Sequence, residues 1–394
     1  MAHPTLTLRP RLAFIGGRFV GDAELVLDWR GPHPTVASVR LGVGGPREDL
    51  LLSPAFCNAH SHLEYRGLLD AELPETYWPW IRELTRLKAE QRLQDVREHT
   101  RLAARENRLT GVGLIGEHSD RPFAGEALRE QGIQGRIFQE VITFLESQSP
   151  QEKLDALRLR AENQREAFGG PVHLSPHAPY TVDPETLAWL GLLGEPVSIH
   201  VAETPMEDDW LMRGLGAIED LYTRFGVPSV RHPAGVVGYL AAKGLLRPGA
   251  QWVHGCAMDP ALAPSLAEAG VSIAHCPTSN RRLGCPDAPV RAWLDAGVAV
   301  GLGLDSAASG GPVDMFALMR AALETAERRG ESLSVVEVWN MATTMGAASL
   351  GYRGWEIAKG ATLPLIAVTG VTEPGKALRA APQDVAWLAP NGVS

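Results

Sequence analysis

The chain has 394 residues, 45% hydrophobic and 21% charged, which is the balance of a globular protein long enough for two domains or one barrel with additions. Its net charge of −9, with no basic block, argues against a nucleic-acid partner, because phosphates are neutralised by clustered Lys and Arg. No apolar run is long enough to span a bilayer and the N-terminus lacks the apolar stretch of a signal peptide, so no membrane partner is expected and the expected compartment is the cytoplasm.

The N-terminal part of the chain, 1–52, carries short strand-like pieces at 12–20, 23–28 and 37–42, separated by Gly and Pro and without a helical period. From there the pattern changes. Eight apolar runs at 51–58, 111–117, 136–142, 172–176, 197–201, 251–255, 271–275 and 298–304 read as buried strands. Helix-like segments lie between them at 77–109, 151–168, 184–193, 205–225 and 260–269, several with Pro near the first turn. One more helix is expected at 334–351, and two strand-like pieces follow at 361–368 and 384–388. Strand–helix alternation repeated eight times predicts an α/β fold, a parallel (β/α)₈ TIM-like barrel over 53–354. Neither chain end has enough strands for a sheet of its own, so 1–52 and 355–394 are expected to pair into one small composite β domain, a β-sandwich.

Four of the strand-like runs end in potential metal ligands: His60 and His62, His200, His254, and Asp305. His60 and His62 lie two apart, so both face the barrel axis through the period of two. Polar groups at the C-terminal ends of barrel strands share one space, and three imidazoles with a carboxylate suit a divalent ion with an open position. Such an ion makes water a nucleophile at neutral pH. The metal set read this way is His60, His62, His200 and Asp305, with Zn²⁺ fitting best and Fe²⁺ the alternative. Glu203, three residues past His200, reads as a proton shuttle, against the ordinary alternative of a carboxylate at a helix N-terminus. His254 is placed to stabilise the nucleophile and the developing tetrahedral centre, against a core histidine bonded to backbone. Asp305 can also accept the proton of the attacking water.

Two-metal versions of this chemistry usually need a bridging group such as a modified lysine at a strand end. The only lysines between His62 and His200 are Lys88 and Lys153, both in helix-like segments, so one ion per chain is expected. Cys57, Cys256, Cys276 and Cys285 have no zinc-ribbon spacing and read as free core thiols.

These motifs resemble the amidohydrolase superfamily, in the branch of adenosine-type and guanine deaminases and chlorohydrolases. The resemblance rests on Pro-Ala-Phe-Cys-Asn-Ala-His-Ser-His (54–62), Pro-His-Ala-Pro-Tyr-Thr-Val (176–182), His-Val-Ala-Glu-Thr (200–204), Val-His-Gly (253–255), His-Cys-Pro-Thr-Ser-Asn (275–280) and Gly-Leu-Gly-Leu-Asp-Ser (301–306). It implies the same ligand, shuttle and stabiliser residues, and a metal-dependent deamination of an aminated purine nucleoside. The Pro-His-Ala-Pro-Tyr segment is similar to that of S-adenosylhomocysteine and methylthioadenosine deaminases, which implies that His177 contacts substrate, with a structural cap as the alternative. Ala-His-Ser-His-Leu-Glu-Tyr (59–65) followed by Trp-Pro-Trp-Ile (78–81) looks closer to aminofutalosine deaminases. That likeness makes aminodeoxyfutalosine the first expected substrate, with S-adenosylhomocysteine, methylthioadenosine, adenosine and guanine next. Its carboxylate would need a cation at the pocket mouth, for which Arg66, Arg281 and Arg282 are the choices, each otherwise a solvated surface charge. Tyr77, Trp78 and Trp80 are expected in the core. Dechlorination or cyclic-amide hydrolysis on the same scaffold is the rival reaction, and the intact ligand set argues against a non-enzymatic barrel. A homodimer is compatible with the resemblance alone.

Overall fold

The computed structural model describes residues 3–144 and 149–393. Eight parallel strands form the centre: Phe56–His62, Val112–Ser119, Gln134–Val141, Val172–Pro176, Val197–Val201, Ala250–His254, Ser272–His275 and Val300–Leu302. The first four pair in sequence order, as do the last four, giving two parallel sheets. Two seams join them. At one, the His200 N–H donates to the His177 carbonyl at 3.0 Å and the Ser198 N–H donates to Ser175 Oγ at 2.7 Å. At the other, Asp305–Ser306, just past the eighth strand, pairs in parallel with Ser61 and His62 of the first. The eight strands thus form the expected (β/α)₈ barrel, with all strand C-termini at one mouth.

Most strands hold their expected positions, and the first is the instructive exception. The run expected as one strand at 51–58 belongs to two. Glu48–Pro54 pairs antiparallel with Leu365–Thr369 and parallel with Pro10–Ile15 in a six-stranded sheet outside the barrel. Phe56–His62 then pairs with the second barrel strand. Ala55 marks the transfer, its N–H donating to Pro364 O and its carbonyl accepting from Trp355 Nε1 at 2.8 Å. The first barrel strand therefore runs through His60 and His62 and does not stop before them. Both flanking runs are apolar because both sheets are buried, so hydropathy alone does not separate them.

The six-stranded sheet runs Gly392–Val393, Val385–Ala389, Leu365–Thr369, Glu48–Pro54, Pro10–Ile15, Arg18–Gly21. It faces a three-stranded antiparallel sheet of Thr5–Leu8, Ala23–Trp29 and Pro34–Leu41 across a core that includes Ala13, Leu25, Leu27, Leu52 and Leu365. The segment expected as one strand at 12–20 is a hairpin. Gly16 and Gly17 take φ of 56° and 72°, the paired left-handed backbone that a tight two-residue turn requires.

Three expected helices are also interrupted. The 77–109 segment is Tyr77–Glu90 and Leu93–Leu109, split where Gln91 and Arg92 are extended. The 205–225 segment turns at Gly214 and Gly216, and the 334–351 segment breaks at Thr343 between Val335–Met341 and Thr344–Ser349. Each break reorients the chain over a curved barrel surface, which one straight helix could not follow. Among the described residues no helix is long and apolar enough to cross a membrane.

Trp339 ties the two parts together. It is fully buried, packs on Phe14, Phe19 and Phe56 with ring centroids 6.3, 5.5 and 5.4 Å away, and donates from Nε1 to Ser53 Oγ at 3.0 Å. Trp339→Ala removes this aromatic wedge and should destabilise the fold by about 3–5 kcal/mol. A denaturant midpoint close to that of the unmodified chain would show that the hairpin and barrel do not depend on it.

Candidate active site

At the barrel mouth His60, His62 and His200 each present one ring nitrogen, all within 4.8 Å of one another. Asp305 Oδ1 lies 3.5 Å from His60 Nε2 and 3.7 Å from His62 Nε2. Strands one, five and eight thus deliver the four residues to one point. Close approach is built in at Gly303, where a Cβ would sit 2.7 Å from His60 Cβ and 2.9 Å from Cys276 Sγ. Only glycine lets the eighth strand pass so near His60.

The second ring of contacts orients these groups. His200 Nδ1 donates to the His177 carbonyl at 2.7 Å, leaving Nε2 as its free nitrogen. Asp305 Oδ2 accepts from Ser279 Oγ at 2.5 Å and Ser309 Oγ at 3.0 Å. Glu203 Oε2 lies 3.6 Å from His254 Nε2, and His254 Nδ1 is bonded to Asn280 Oδ1 at 2.7 Å. Glu203 itself is held by its backbone. Glu207 accepts from the N–H groups of Ala202 at 2.9 Å and Glu203 at 3.0 Å.

Backbone strain is concentrated here. Among the described residues four non-glycines have left-handed backbone, and three of them are Ala202, His254 and Asp305, with φ of 48°, 70° and 60°. Each ends or follows a barrel strand, so the strain aims a side chain across the mouth instead of along the strand. Such residues cost about 1–3 kcal/mol each and persist where surrounding contacts hold them.

Electrostatics follow from burial. Desolvation, above all, lowers the proton affinity of His60, His62, His200 and His254, keeping their rings neutral with lone pairs available. Burial raises Glu203 well above the ordinary carboxylate range, and Asp305 nearby adds to this. Burial also pushes Asp305 upward, but its contacts with His60, His254 and His62 outweigh that and hold it well below the usual range. The surroundings therefore favour the protonated form of one carboxyl, Glu203, and the ionised form of the other, Asp305. A divalent ion fits the His60, His62, His200 and Asp305 set: neither nitrogen of the fully buried His60 makes a hydrogen bond within the protein, and the donors are neutral imidazoles beside a carboxylate.

His177 reaches the cleft, its ring 4.7 Å from that of His200. The arginines do not gather there. Arg66 forks onto Glu106, with Nε and Nη2 donating at 2.7 and 2.8 Å, and lines a neighbouring pocket with His62 and Asp305 instead of this cleft. Arg281 pairs with Glu324, while Arg282 ends the helix Pro277–Arg282, half-buried and without an ion pair among the described residues. Tyr77 and Trp80, expected in the core, form the cleft wall with Tyr65, Ile81 and Leu84; Trp78 packs behind them on Tyr77 and Tyr180. Glu207, Asn280, Ser279 and Ser309 escaped the sequence reading. Ser279 and Asn280 lie inside the His-Cys-Pro-Thr-Ser-Asn segment, whereas Glu207 sits in the short helix Met206–Asp208 with no strand-end signal. His118 and Glu140 also close the mouth, at the ends of the second and third strands, where the strand-end rule could have found them.

Barrel and site together define a metal-dependent hydrolase. The chain belongs to the amidohydrolase family, whose model matches residues 51–384, and is a hydrolase acting on carbon–nitrogen bonds. It is 30% identical over 342 residues to a 5-methylthioadenosine/S-adenosylhomocysteine deaminase of Natronomonas pharaonis, covering 82% of this chain and 73% of that one. Its fold is similar to that of an adenosine deaminase from Xanthomonas campestris with bound zinc, at a TM-score of 0.82, 21% identity and coverage of 98% and 92%. It is also similar in fold to Helicobacter pylori aminofutalosine deaminase in complex with methylthio-coformycin, at a TM-score of 0.80, 17% identity and coverage of 98% and 99%.

Glu207→Ala leaves two buried N–H groups without an acceptor, at an expected cost of about 2 kcal/mol or more. Turnover should fall with it, since the Ala202–Glu203 backbone loses its brace, and Glu207→Gln should recover part of both through its amide oxygen. Unchanged stability and turnover in Glu207→Ala would remove Glu207 from the account.

Proposed function

We propose that the protein is a hydrolytic deaminase of 5′-substituted adenine nucleosides, with 5′-methylthioadenosine as the first substrate to test. The observation that carries this reading is the pairing of a proton-holding Glu203 with His254 beside the His60, His62, His200 and Asp305 set, under a wall of Tyr65, Tyr77, Trp80, Ile81 and Leu84. The name of the Natronomonas pharaonis relative supports the substrate class.

In this reading His60, His62, His200 and Asp305 hold one divalent ion, Zn²⁺ best, with Fe²⁺ the alternative. The ion, when bound, acidifies water and so supplies the nucleophile at neutral pH. Asp305, ionised and fixed by Ser279 and Ser309, orients the attacking water and accepts its proton. Glu203 donates a proton to N1 of the purine as the bond to C6 forms, a role that needs a carboxyl still protonated near neutrality. His254, braced by Asn280, stabilises charge developing at C6. His177 contacts the nucleoside and the aromatic wall stacks on it. Asp305 then passes the proton it took from water to the leaving amine, Glu203 recovers one from the new C6 hydroxyl, ammonia leaves, and the adenine becomes hypoxanthine.

Aminodeoxyfutalosine is the second reading; its carboxylate needs a cation, and Arg282, half-buried and without an ion-pair partner among the described residues, is not among the residues lining the cleft. The commitment of Arg66 to Glu106 weighs against it.

The test is ammonia release, with the ultraviolet shift from adenine to hypoxanthine, across methylthioadenosine, S-adenosylhomocysteine, adenosine, aminodeoxyfutalosine and guanine, plus a chlorinated triazine scored for chloride. A marked preference for methylthioadenosine is expected; chloride release without ammonia would overturn the deaminase reading. Chelation should abolish turnover and added Zn²⁺ restore it. Glu203→Gln should retain metal yet lose about 10²-fold or more in kcat. Wild-type kcat in that variant would sink the shuttle assignment.

A further inference from the structure

Across the mouth from the set just described, His118 on the second strand and Glu140 on the third face one another with their nearest atoms, His118 Nδ1 and Glu140 Oε1, 3.9 Å apart. Both side chains are almost fully buried, and neither of these atoms makes a hydrogen bond within the protein. The hydrogen-bond network determines what His118 presents. Gln251 donates its amide to Ser349, so its Oε1 is an acceptor. Ser198 Oγ gives its one proton to that oxygen at 2.8 Å, and must therefore accept from His118 Nε2, 2.9 Å away. With Nε2 carrying the proton, the neutral ring turns the lone pair of Nδ1 toward the Glu140 carboxyl group.

Two potential ligand atoms thus face each other in a buried space, where burial pushes the Glu140 carboxyl up to about 8, so that a cation arriving there displaces its proton. At 3.9 Å they are too far apart for a proton on either to bridge them in a hydrogen bond. Two ligands held about 2.0–2.2 Å from a common ion at a tetrahedral angle stand about 3.3–3.6 Å apart, so a small closure of the two side chains brings them to ligand spacing. The fixed Nε2–H to Ser198 is also the outer contact that metal-bound imidazoles use to set tautomer and ring orientation. A third donor is present, since a nitrogen of His200 lies within 4.8 Å of both groups. Among the described residues Glu140 has no Lys or Arg partner, as Lys88, the nearest cation, is held by Tyr65 and Asp120.

We infer that His118, Glu140 and His200 form a second divalent-cation position, one that competes with the first for His200. The competition follows from hydrogen bonding: His200 Nδ1 is occupied by the His177 carbonyl, so a single nitrogen serves both positions. An ion at His118 and Glu140 withdraws His200 from the first set. Excess Zn²⁺ is then an inhibitor of the activity proposed above, on which this last consequence rests.

The direct test counts Zn²⁺ per chain by plasma mass spectrometry after equilibration at a series of fixed free Zn²⁺ concentrations, with ammonia release measured on the same samples. The wild-type chain is expected to take up a first ion with rising activity and a second with falling activity. Glu140→Gln and His118→Asn, checked for wild-type circular dichroism, are expected to lose the second ion and the inhibition while keeping the first. His60→Ala separates the two readings: it should lose the first ion and keep the second. Wild-type protein that saturates at one ion, or a Glu140→Gln chain that binds as many ions as wild type, would overturn the second position whether or not the first is correct. A His60→Ala chain with an unchanged ion count would instead overturn the first.

Discussion

The mouth of this barrel depends on keeping a group of imidazoles neutral and buried around one ionised carboxylate. Burial disfavours the charged form of His60, His62, His200 and His254, and two serine hydroxyls donate to Asp305 Oδ2, which favours its ionised form. Removing so many polar groups from water is unfavourable unless each finds a partner. Much of the surrounding structure can be read as the supply of those partners. Ser279 and Ser309 serve Asp305, Asn280 serves His254, and the His177 carbonyl serves His200.

Aiming those groups requires backbone that regular strands do not offer. Ala202, His254 and Asp305 adopt left-handed geometry at the strand ends, where glycine is the usual occupant. The contacts that hold them are local and specific. Glu207 grips the N–H groups that follow Val201, and the pairing of Asp305–Ser306 with the first strand locks the third position. Strain and support therefore coincide, as expected where a site must be fixed before any ligand arrives. The same logic explains the glycine at 303, whose missing side chain lets His60 approach the eighth strand.

Where sequence reading and structure part, the causes are particular. Leu51–Pro54 and the start of the barrel strand at Phe56–Cys57 read as one apolar run because each lies in a buried sheet, so 51–58 has the pattern of one strand. The 77–109 segment has helical period throughout, yet Gln91 and Arg92 are extended so that its first half can lie over the cleft. That turn is what carries Tyr77 and Trp80 to the cleft wall and leaves Trp78 behind it. Arg66 carries no mark in the sequence that its partner would be Glu106, forty residues away.

The sequence alone determined the fold class and which histidines meet at the barrel mouth, because both are written in local pattern: a strand–helix alternation repeated eight times, and histidines at strand ends. Barrel geometry then forces strand ends together, so position along the chain already implies position in space. Tertiary structure alone decided everything that depends on which distant segments meet. It set His118 against Glu140, tied Arg66 to Glu106 and swung the first half of the 77–109 segment over the mouth. Those pairings arise from packing between elements that share no sequence period, and no reading of one segment at a time contains them.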